Sequence, residues 1–330
     1  MTFPIETFPA GSGPTPTTPT TPATPSNAFD VETTGLSVHF GHVRAIDDVS
    51  MRITGGTICG ILGRNGAGKS TLLSTIAAFR RPTRGGVAVD GAEPFENARL
   101  MSEICLIRET GDFENSTTVG QVLELGEALR PRWDSGFAER LIERFALPRR
   151  TKAGKLSRGQ RAALAVTVGL ASRAPLTMLD EPHLGMDAPS RYAFYEELLA
   201  DYAEHPRTIL LSTHHIDEVA SILEDVVIIH RGRLLMHRSA DELRAQGVEL
   251  TGPAEAVDAM TEGLRTLSER QLGRTKSVVV FEPFDDDRAR RSAAAGIDVG
   301  PIPLQDLFVH LTNDATQAGG TGDTSNETGS

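Results

Sequence analysis

The most informative segment of the chain is GRNGAGKST, residues 63–71. It fits the pattern G-x-x-x-x-G-K-[ST] and lies between a short apolar strand, Thr57–Leu62, and a helix-like segment, Lys69–Phe79. Its glycines let the backbone curl so that N–H groups point inward, and the helix that follows adds the positive end of its dipole. The stretch therefore predicts a loop that holds the phosphates of a nucleotide.

The residues of this loop have distinct expected roles. Lys69 should reach the β- and γ-phosphates, and Ser70 should ligate Mg²⁺. The motif by itself fits kinases and GTPases as well, so the rest of the chain must separate these classes. The residues of the loop that we expect to bind the nucleotide are Gly63, Asn65, Gly66, Gly68, Lys69, Ser70 and Thr71.

Two carboxylates follow a second apolar strand, Leu176–Leu179. The end of a strand can place Asp180 on Mg²⁺ and Glu181 beside the γ-phosphate, where it would polarise the attacking water. Seen alone, the pair fits a solvated acidic turn equally well. With a phosphate loop upstream in the same chain, the sequence favours the catalytic interpretation.

A histidine pair follows the next strand, Thr208–Leu211. A histidine just beyond a strand end can contact the γ-phosphate or orient the general base, and this is the role expected for His214. Such a pair is often only a surface or core feature, and we interpret His215 as a structural residue. No function is expected for His183 or Met186.

Strands alternate with helices along residues 29–240, which predicts an α/β fold with a parallel sheet covered on both faces. From about residue 240 the pattern restarts as a small α+β domain, predicted to span 241–312. Residues 1–28 are Thr/Pro-rich and, like residues 313–330, are predicted to be disordered tails. The N-terminal tail is either solvated or a ligand for a proline-recognising partner.

Composition limits the classes of function. The net charge of −11 argues against broad nucleic-acid binding, and the spacing of the two cysteines fits neither a disulfide framework nor a zinc site. No run approaches 18 consecutive apolar residues, and the N-terminus lacks the pattern of a secretory signal. We therefore expect a cytoplasmic protein whose membrane role, if it has one, depends on a partner.

The segment LSRGQ, residues 156–160, resembles the L-S-G-G-Q signature of ABC ATPases, with Arg158 at the variable middle position. The resemblance covers residues 29–240, and the motifs follow the order of that family. It implies a P-loop NTPase cassette with a RecA-like parallel-sheet core and an antiparallel β subdomain. An α-helical signature subdomain is expected at about residues 110–172.

The resemblance also implies roles for single residues. Phe40 matches the aromatic residue that stacks on adenine, although it also fits a core strand residue. Glu181 matches the catalytic glutamate and His214 the switch histidine. Glu109 stands where the family has a glutamine and would approach Mg²⁺ or its water. The residues expected to act across a dimer are Ser157, Gly159 and Gln160 of the signature and Asp187 of the Gly185–Asp187 loop.

The function expected from the resemblance is the ATP-hydrolysing subunit of a membrane transporter, with ATP and Mg²⁺ as cofactors. It would form a homodimer or heterodimer around two Mg-ATP and drive a permease on a separate chain at the cytoplasmic face, in the export direction.

The alternative is a soluble ABC ATPase that acts on ribosomes or DNA. A single cassette and the short interval between Lys69 and Asp180 argue against it, and no nucleic-acid partner is expected. A non-hydrolysing nucleotide sensor is disfavoured by Glu181 and His214. The domain at 241–312 either regulates hydrolysis or strengthens the dimer, or it only packs against the cassette.

Overall fold

A computed structural model describes residues 27–108 and 112–319. The predicted N-terminal tail lies outside these residues except for its last two, and Glu109 lies outside them as well. The predicted C-terminal tail is described only as far as Gly319. Within these ranges, no helix is both long enough and apolar enough to cross a membrane.

The described residues form thirteen strands and eleven helices, and residues Ala153–Lys155 form one short 3-10 turn. The strands are β1 (Val31–Phe40), β2 (Val43–Ile53), β3 (Ile58–Leu62), β4 (Arg84–Val89), β5 (Ile104–Ile107), β6 (Leu176–Asp180), β7 (Thr208–Thr213), β8 (Asp225–His230), β9 (Arg233–Ser239), β10 (Gly247–Pro253), β11 (Thr266–Leu272), β12 (Thr275–Phe281) and β13 (Asp298–Pro301). The helices are α1 (Lys69–Ile76), α2 (Ala98–Glu103), α3 (Val119–Leu129), α4 (Ser135–Arg144), α5 (Arg158–Ala171), α6 (Ala188–Glu204), α7 (Ile216–Val219), α8 (Ala240–Gln246), α9 (Ala254–Thr261), α10 (Asp286–Ala294) and α11 (Leu304–Gly319).

The central sheet has six strands in the spatial order β5-β6-β7-β3-β8-β9. The first five run parallel, and β9 pairs antiparallel with β8. Every residue of β3, β6 and β7 is buried, as expected for parallel strands covered on both faces. Cys59 and Cys105 are buried free thiols within this sheet, and burial raises the pKa of Cys59 well above its ordinary value. The predicted parallel core is confirmed.

The order of these strands brings the sequence motifs together. β7 lies between β3 and β6, with Leu62 opposite Thr213 and Asp180 opposite Ser212. The phosphate loop follows β3, the two carboxylates end β6, and His214 follows β7. Because parallel strands end at the same edge of a sheet, all three motifs meet there, as in other open α/β folds.

A second sheet packs against α1, the helix that follows the phosphate loop. Its strands, in the order β2-β1-β4, are antiparallel. Leu36 and Ile46 of this sheet share one buried apolar cluster with Leu72 and Leu73 of α1. The strand β4 was not predicted, because its RGGVAV sequence has two glycines and little apolar alternation.

The helical region contains α3, α4 and α5. Asp134 begins α4 by accepting a hydrogen bond from the N–H of Phe137 at 2.7 Å. Trp133 packs against α3 so closely that a Cβ at Gly126 would lie 2.5 Å from its ring. The fully buried Phe137 anchors α4 in the same apolar cluster as Leu164 of α5. The predicted helical stretch thus packs as one layer beside the central sheet.

The C-terminal part forms a four-stranded antiparallel sheet in the order β11-β12-β10-β13. This accessory unit, residues 241–319, also contains α9, α10 and α11. Leu307 and Phe308 of α11 belong to the same apolar cluster as Val219 of α7, so the accessory unit shares a core with the cassette. α11 runs to Gly319, beyond the predicted domain end at residue 312. The strands β11 and β13 were not predicted, because both lie at the edges of the sheet and are largely polar.

Candidate functional site

The phosphate loop has the left-handed backbone that its glycines permit. The φ angles of Gly66 and Gly68 are 79° and 109°. A Cβ at Gly68 would lie 2.5 Å from the carbonyl oxygen of Ala45 in β2, so a side chain does not fit there. The close approach of the loop to the antiparallel sheet therefore requires glycine at this position.

Lys69 is the first residue of α1, and its side chain is buried. Its ammonium group donates to the carbonyl oxygen of Gly63 at 2.8 Å, which curls the loop around it. The same nitrogen lies 3.1 Å from Oε1 of Glu181. The Lys69 ammonium is thus held in front of the N-terminus of α1. Its charge and the positive end of the helix dipole both favour an anion there.

An open cleft of about 740 Å³ lies beside this loop. Three of its lining residues are cationic, namely Arg44, Lys69 and Arg231, and one is a carboxylate, Glu181. This excess of positive charge suits a polyphosphate. The cleft is lined by Val43, Arg44, Ala45, Asn65, Gly66, Ala67, Gly68, Lys69, Ser70, Thr71, Glu181, Leu184, His214, Arg231 and Gly232.

The two carboxylates at the end of β6 have different surroundings. Asp180 is buried and accepts a hydrogen bond from the hydroxyl of Ser212 on β7. Glu181 has a φ of 50°, which is unusual for a residue with a side chain, and its N–H donates to the carbonyl oxygen of Ser212 at 3.1 Å. This sharp turn aims the Glu181 carboxylate into the cleft.

His214 contacts Glu181 directly. Its Nδ1 lies 3.0 Å from both carboxylate oxygens of Glu181, and its ring is partly exposed to the cleft. Glu181 is therefore in contact with Lys69 on one side and His214 on the other. This is the geometry needed for a base whose orientation is held by its neighbours.

The structure also places His183, for which the sequence predicted no function, beside Glu181. Its buried Nε2 faces Oε2 of Glu181 at 3.9 Å, and its Nδ1 lies 3.3 Å from the hydroxyl of Tyr195. Burial lowers the pKa of His183 to about 4, so the ring is neutral at pH 7. A tyrosine hydroxyl that donates to Nδ1 leaves the ring proton on Nε2, towards Glu181. The signal in the sequence was its position two residues after Glu181, in the same turn.

The signature and the Gly185–Asp187 loop pack against each other. A Cβ at Gly159 would lie 2.7 Å from the carbonyl oxygen of Gly185, so the contact depends on glycine. Ser157 begins α5 by accepting from the N–H of Gln160 at 3.2 Å, and Gln160 accepts from the N–H of Ser157 at 3.1 Å. Asp187 begins α6, and its hydrogen bond with Ser190 lowers the pKa of Asp187.

Several predicted site residues lie elsewhere than the cleft. Among the described residues that line it, none comes from the signature, and Asp187 is not one of them. Phe40 ends β1 with its ring exposed, and the guanidinium of Arg80 lies 4.2 Å from the ring centroid. Glu109 lies outside the described residues. The chain thus brings together the phosphate loop, Glu181 and His214, and leaves the signature on a separate surface.

The donor set of the site fits Mg-ATP. Lys69 and the cationic lining suit a triphosphate, and hydroxyl and carboxylate oxygens, such as those of Ser70 and Asp180, are the hard donors that Mg²⁺ prefers. In the part of the chain that the structure describes, no cluster of three or more histidine, cysteine, aspartate or glutamate residues could hold a metal by itself. Mg²⁺ commonly takes one or two protein ligands and completes its shell with phosphates and water, so two such oxygen donors would be enough to hold it.

Known proteins resemble this chain in sequence. The family model described as ABC transporter matches residues 46–184. The ABC transporter ATP-binding protein NatA of Bacillus subtilis (strain 168) is 30% identical over 208 residues, which cover 61% of this chain and 84% of NatA. The daunorubicin resistance ATP-binding protein DrrA3 of Streptomyces coeruleorubidus is 27% identical over 321 residues, which cover 86% of this chain and 96% of DrrA3.

A solved structure of an ATP-binding subunit of an ABC transporter superposes with a TM-score of 0.59 and 26% identity, over 66% of this chain and 92% of that one. The superposition and the sheet topology confirm the predicted fold class. The motifs, the fold and the relatives point to the same class of protein: the chain belongs to the ABC transporter family, as an ATP-binding subunit with an ATPase cassette.

Proposed function

We propose that this chain hydrolyses ATP within a dimer of ATPase subunits, closed around two Mg-ATP, and thereby drives a separate membrane-embedded permease in the export direction. The observation that carries the proposal is the position of Glu181. Its carboxylate lies 3.1 Å from the phosphate-loop Lys69 and 3.0 Å from Nδ1 of His214, at the wall of a cationic cleft. One group that contacts both a phosphate-binding cation and an imidazole is suited to activate water beside a γ-phosphate.

Each residue then has a defined part in the reaction. The loop N–H groups and Lys69 bind the β- and γ-phosphates. Glu181 accepts a proton from the attacking water as the water oxygen bonds to the γ-phosphorus, and the bond from that phosphorus to the β,γ-bridging oxygen breaks, which releases ADP and phosphate. His214 orients Glu181 and donates towards the γ-phosphate. Bound Mg²⁺, held by Ser70 and Asp180, would neutralise charge on the phosphate oxygens.

The signature supports a dimer because it does not line the cleft of its own chain. Ser157 and Gly159 stand at the N-terminus of α5, a 14-residue helix whose dipole favours an anion. Placed over the cleft of a second subunit, they would complete the cage around the γ-phosphate. The Gly185–Asp187 loop packs on the signature and would then lie at the same interface, beside the second nucleotide.

Export through a permease is supported by the similarity to a drug-resistance protein, which extends beyond the cassette. DrrA3, named for daunorubicin resistance, aligns over 86% of this chain, which is more than the cassette at residues 29–240 contains. The relationship therefore includes much of the accessory unit as well as the motifs. A permease partner would hold the subunit at the cytoplasmic face of the membrane.

Affinity purification of the full chain from detergent-solubilised membranes of its host tests the partner. We expect a multi-span membrane protein to co-purify in stoichiometric amounts, and purified complex to show ATPase activity that depends on Mg²⁺. The matched control is the same preparation with Lys69→Ala, which should still bring down the permease. Recovery of ribosomes or DNA in place of a membrane protein would support the soluble ABC ATPase and overturn the transport proposal.

A further inference from the structure

His214 lies in a short connection that leads directly into α7. His215 is the residue before α7, and its side chain makes no capping hydrogen bond. The N–H of His215 donates to the hydroxyl of Thr213 at 2.9 Å. The next residue, Ile216, is fully buried, and a buried N–H at the start of a helix needs an acceptor because the helix itself offers none.

The acceptor comes from the accessory unit. Oε1 of Gln305, on the first turn of α11, accepts a hydrogen bond from the N–H of Ile216 at 3.3 Å. The two residues are 89 positions apart in the sequence. Gln305 of the accessory unit thus caps the N-terminus of α7, where the side chain of His215 makes no capping hydrogen bond.

The start of α11 is itself firmly placed. Ile302, which precedes it, is buried, and its N–H donates to the carbonyl oxygen of Gly247 at 3.2 Å. A Cβ at Gly247 would lie 2.4 Å from the Ile302 side chain, so the approach of these two residues is close. This contact ties the start of α11 to β10, a central strand of the accessory sheet.

Apolar packing reinforces the same junction. Leu307 and Phe308 of α11 are buried in one cluster with Ile216 and Val219 of α7. A close-packed junction transmits a displacement of α11 to α7, because packed side chains have little room to move independently. The hydrogen bond from Ile216 then directs that displacement to the backbone two residues after His214.

We infer that Gln305 is a positioning residue for hydrolysis: through its bond to Ile216 the accessory unit holds His214 against Glu181 and sets the turnover number. The inference rests on the proposed roles of Glu181 and His214. It assigns the accessory unit a regulatory part, in preference to simple packing. Displacement of α11 would lower the turnover number without changing the phosphate loop.

Three variants of the full chain test the role of Gln305. Gln305→Met keeps the length of the side chain but lacks the carbonyl acceptor, and Gln305→Glu keeps an acceptor. Gln271→Met is the control, at an exposed position on β11, an edge strand of the accessory sheet. Loss of one hydrogen bond that positions a catalytic group should lower kcat about three- to tenfold. We expect this for Gln305→Met, with KM for ATP near wild type and a thermal midpoint lowered by about a few degrees, because the buried N–H of Ile216 loses its acceptor. Gln305→Glu should recover most of the activity, and Gln271→Met should match wild type.

A double-mutant cycle separates this inference from the proposed function. In a His214→Ala background, Gln305→Met should change kcat less than about twofold, because the residue it positions is absent. If His214→Ala lowers kcat and Gln305→Met alone leaves it unchanged, the inference is wrong and the proposed function stands. An equal loss of kcat from Gln305→Met in both backgrounds also overturns the inference. If His214→Ala has wild-type kcat, the proposed role of His214 fails and the inference fails with it.

Discussion

The ammonium nitrogen of Lys69 lies 3.1 Å from Oε1 of Glu181, and both side chains are buried. The residue expected to bind phosphate and the residue expected to activate water are therefore direct neighbours. A buried cation and carboxylate stabilise each other, and removal of one leaves the other charge without compensation. A γ-phosphate that binds Lys69 would necessarily lie beside Glu181.

Lys69→Ala should weaken nucleotide binding itself. A charge-assisted hydrogen bond contributes roughly 1.5–3 kcal/mol, so the Kd for ATP should rise about ten- to a hundredfold. Titration calorimetry of the purified chain measures this directly. Lys152→Ala, at an exposed position on the helical region, is the matched control and should bind ATP as wild type does. An unchanged Kd in Lys69→Ala would contradict the phosphate-loop assignment.

Glu181→Gln should keep ATP binding and lose hydrolysis. The amide retains the shape of the side chain but cannot accept the proton of water, and loss of a general base costs roughly 10²-fold or more in kcat. An ATP-bound dimer should accumulate, detectable by size-exclusion chromatography. Glu255→Gln, at an exposed position on α9, is the control. Wild-type turnover in Glu181→Gln would show that another group is the base.

Ser157→Arg should spare ATP binding by the monomer and block the ATP-dependent dimer, because a large cation would occupy the surface that faces the second nucleotide. The substitution also removes the N-cap of α5, at a cost of about 1 kcal/mol. Ser239→Arg separates the two effects, since Ser239 caps α8 through the N–H of Glu242 at 3.2 Å. Light scattering with ATP in a Glu181→Gln background is the measurement. A normal dimer in Ser157→Arg would remove the signature from the interface.

His183 should make the free energy of unfolding depend on pH. Burial lowers the pKa of His183 from 6.5 to about 4 in the folded chain, so the unfolded chain binds the proton more readily. The contribution is fully present above pH 6.5 and is lost as the pH falls towards 4, with a slope of at most about 1.4 kcal/mol per pH unit.

Urea denaturation of wild type and His183→Asn between pH 4 and 7.5 checks this dependence. The variant should be less stable at pH 7 but lose less stability on acidification than wild type. His205→Asn, at an exposed position after α6, should keep the wild-type slope. Parallel pH profiles for wild type and His183→Asn would show that the imidazole is not buried in its neutral form.

Prediction from the sequence worked best where neighbouring residues determine the structure. The strand before Gly63, the helix from Lys69 and the buried strand before Asp180 depend on local apolar runs and on glycine, which are visible in the chain. The edge strand β4 was not predicted because its two glycines interrupt the apolar alternation, and β11 and β13 were not predicted because their residues are largely polar and exposed. The extension of α11 to Gly319 was missed for a similar reason: its last residues have the composition of a tail.

The sequence by itself determined the class of the protein, because the phosphate loop, the signature and the Asp180–Glu181 pair are short contiguous motifs whose chemistry follows from the local backbone. The side chains that contact Glu181 from other segments follow from the packing of the folded chain. Lys69 and His214 follow two other strands, and the order of the strands brings both within 4 Å of the Glu181 carboxylate. Gln305 is the clearest case, since a hydrogen bond to a residue 89 positions away depends on how two units pack, and no periodicity records it.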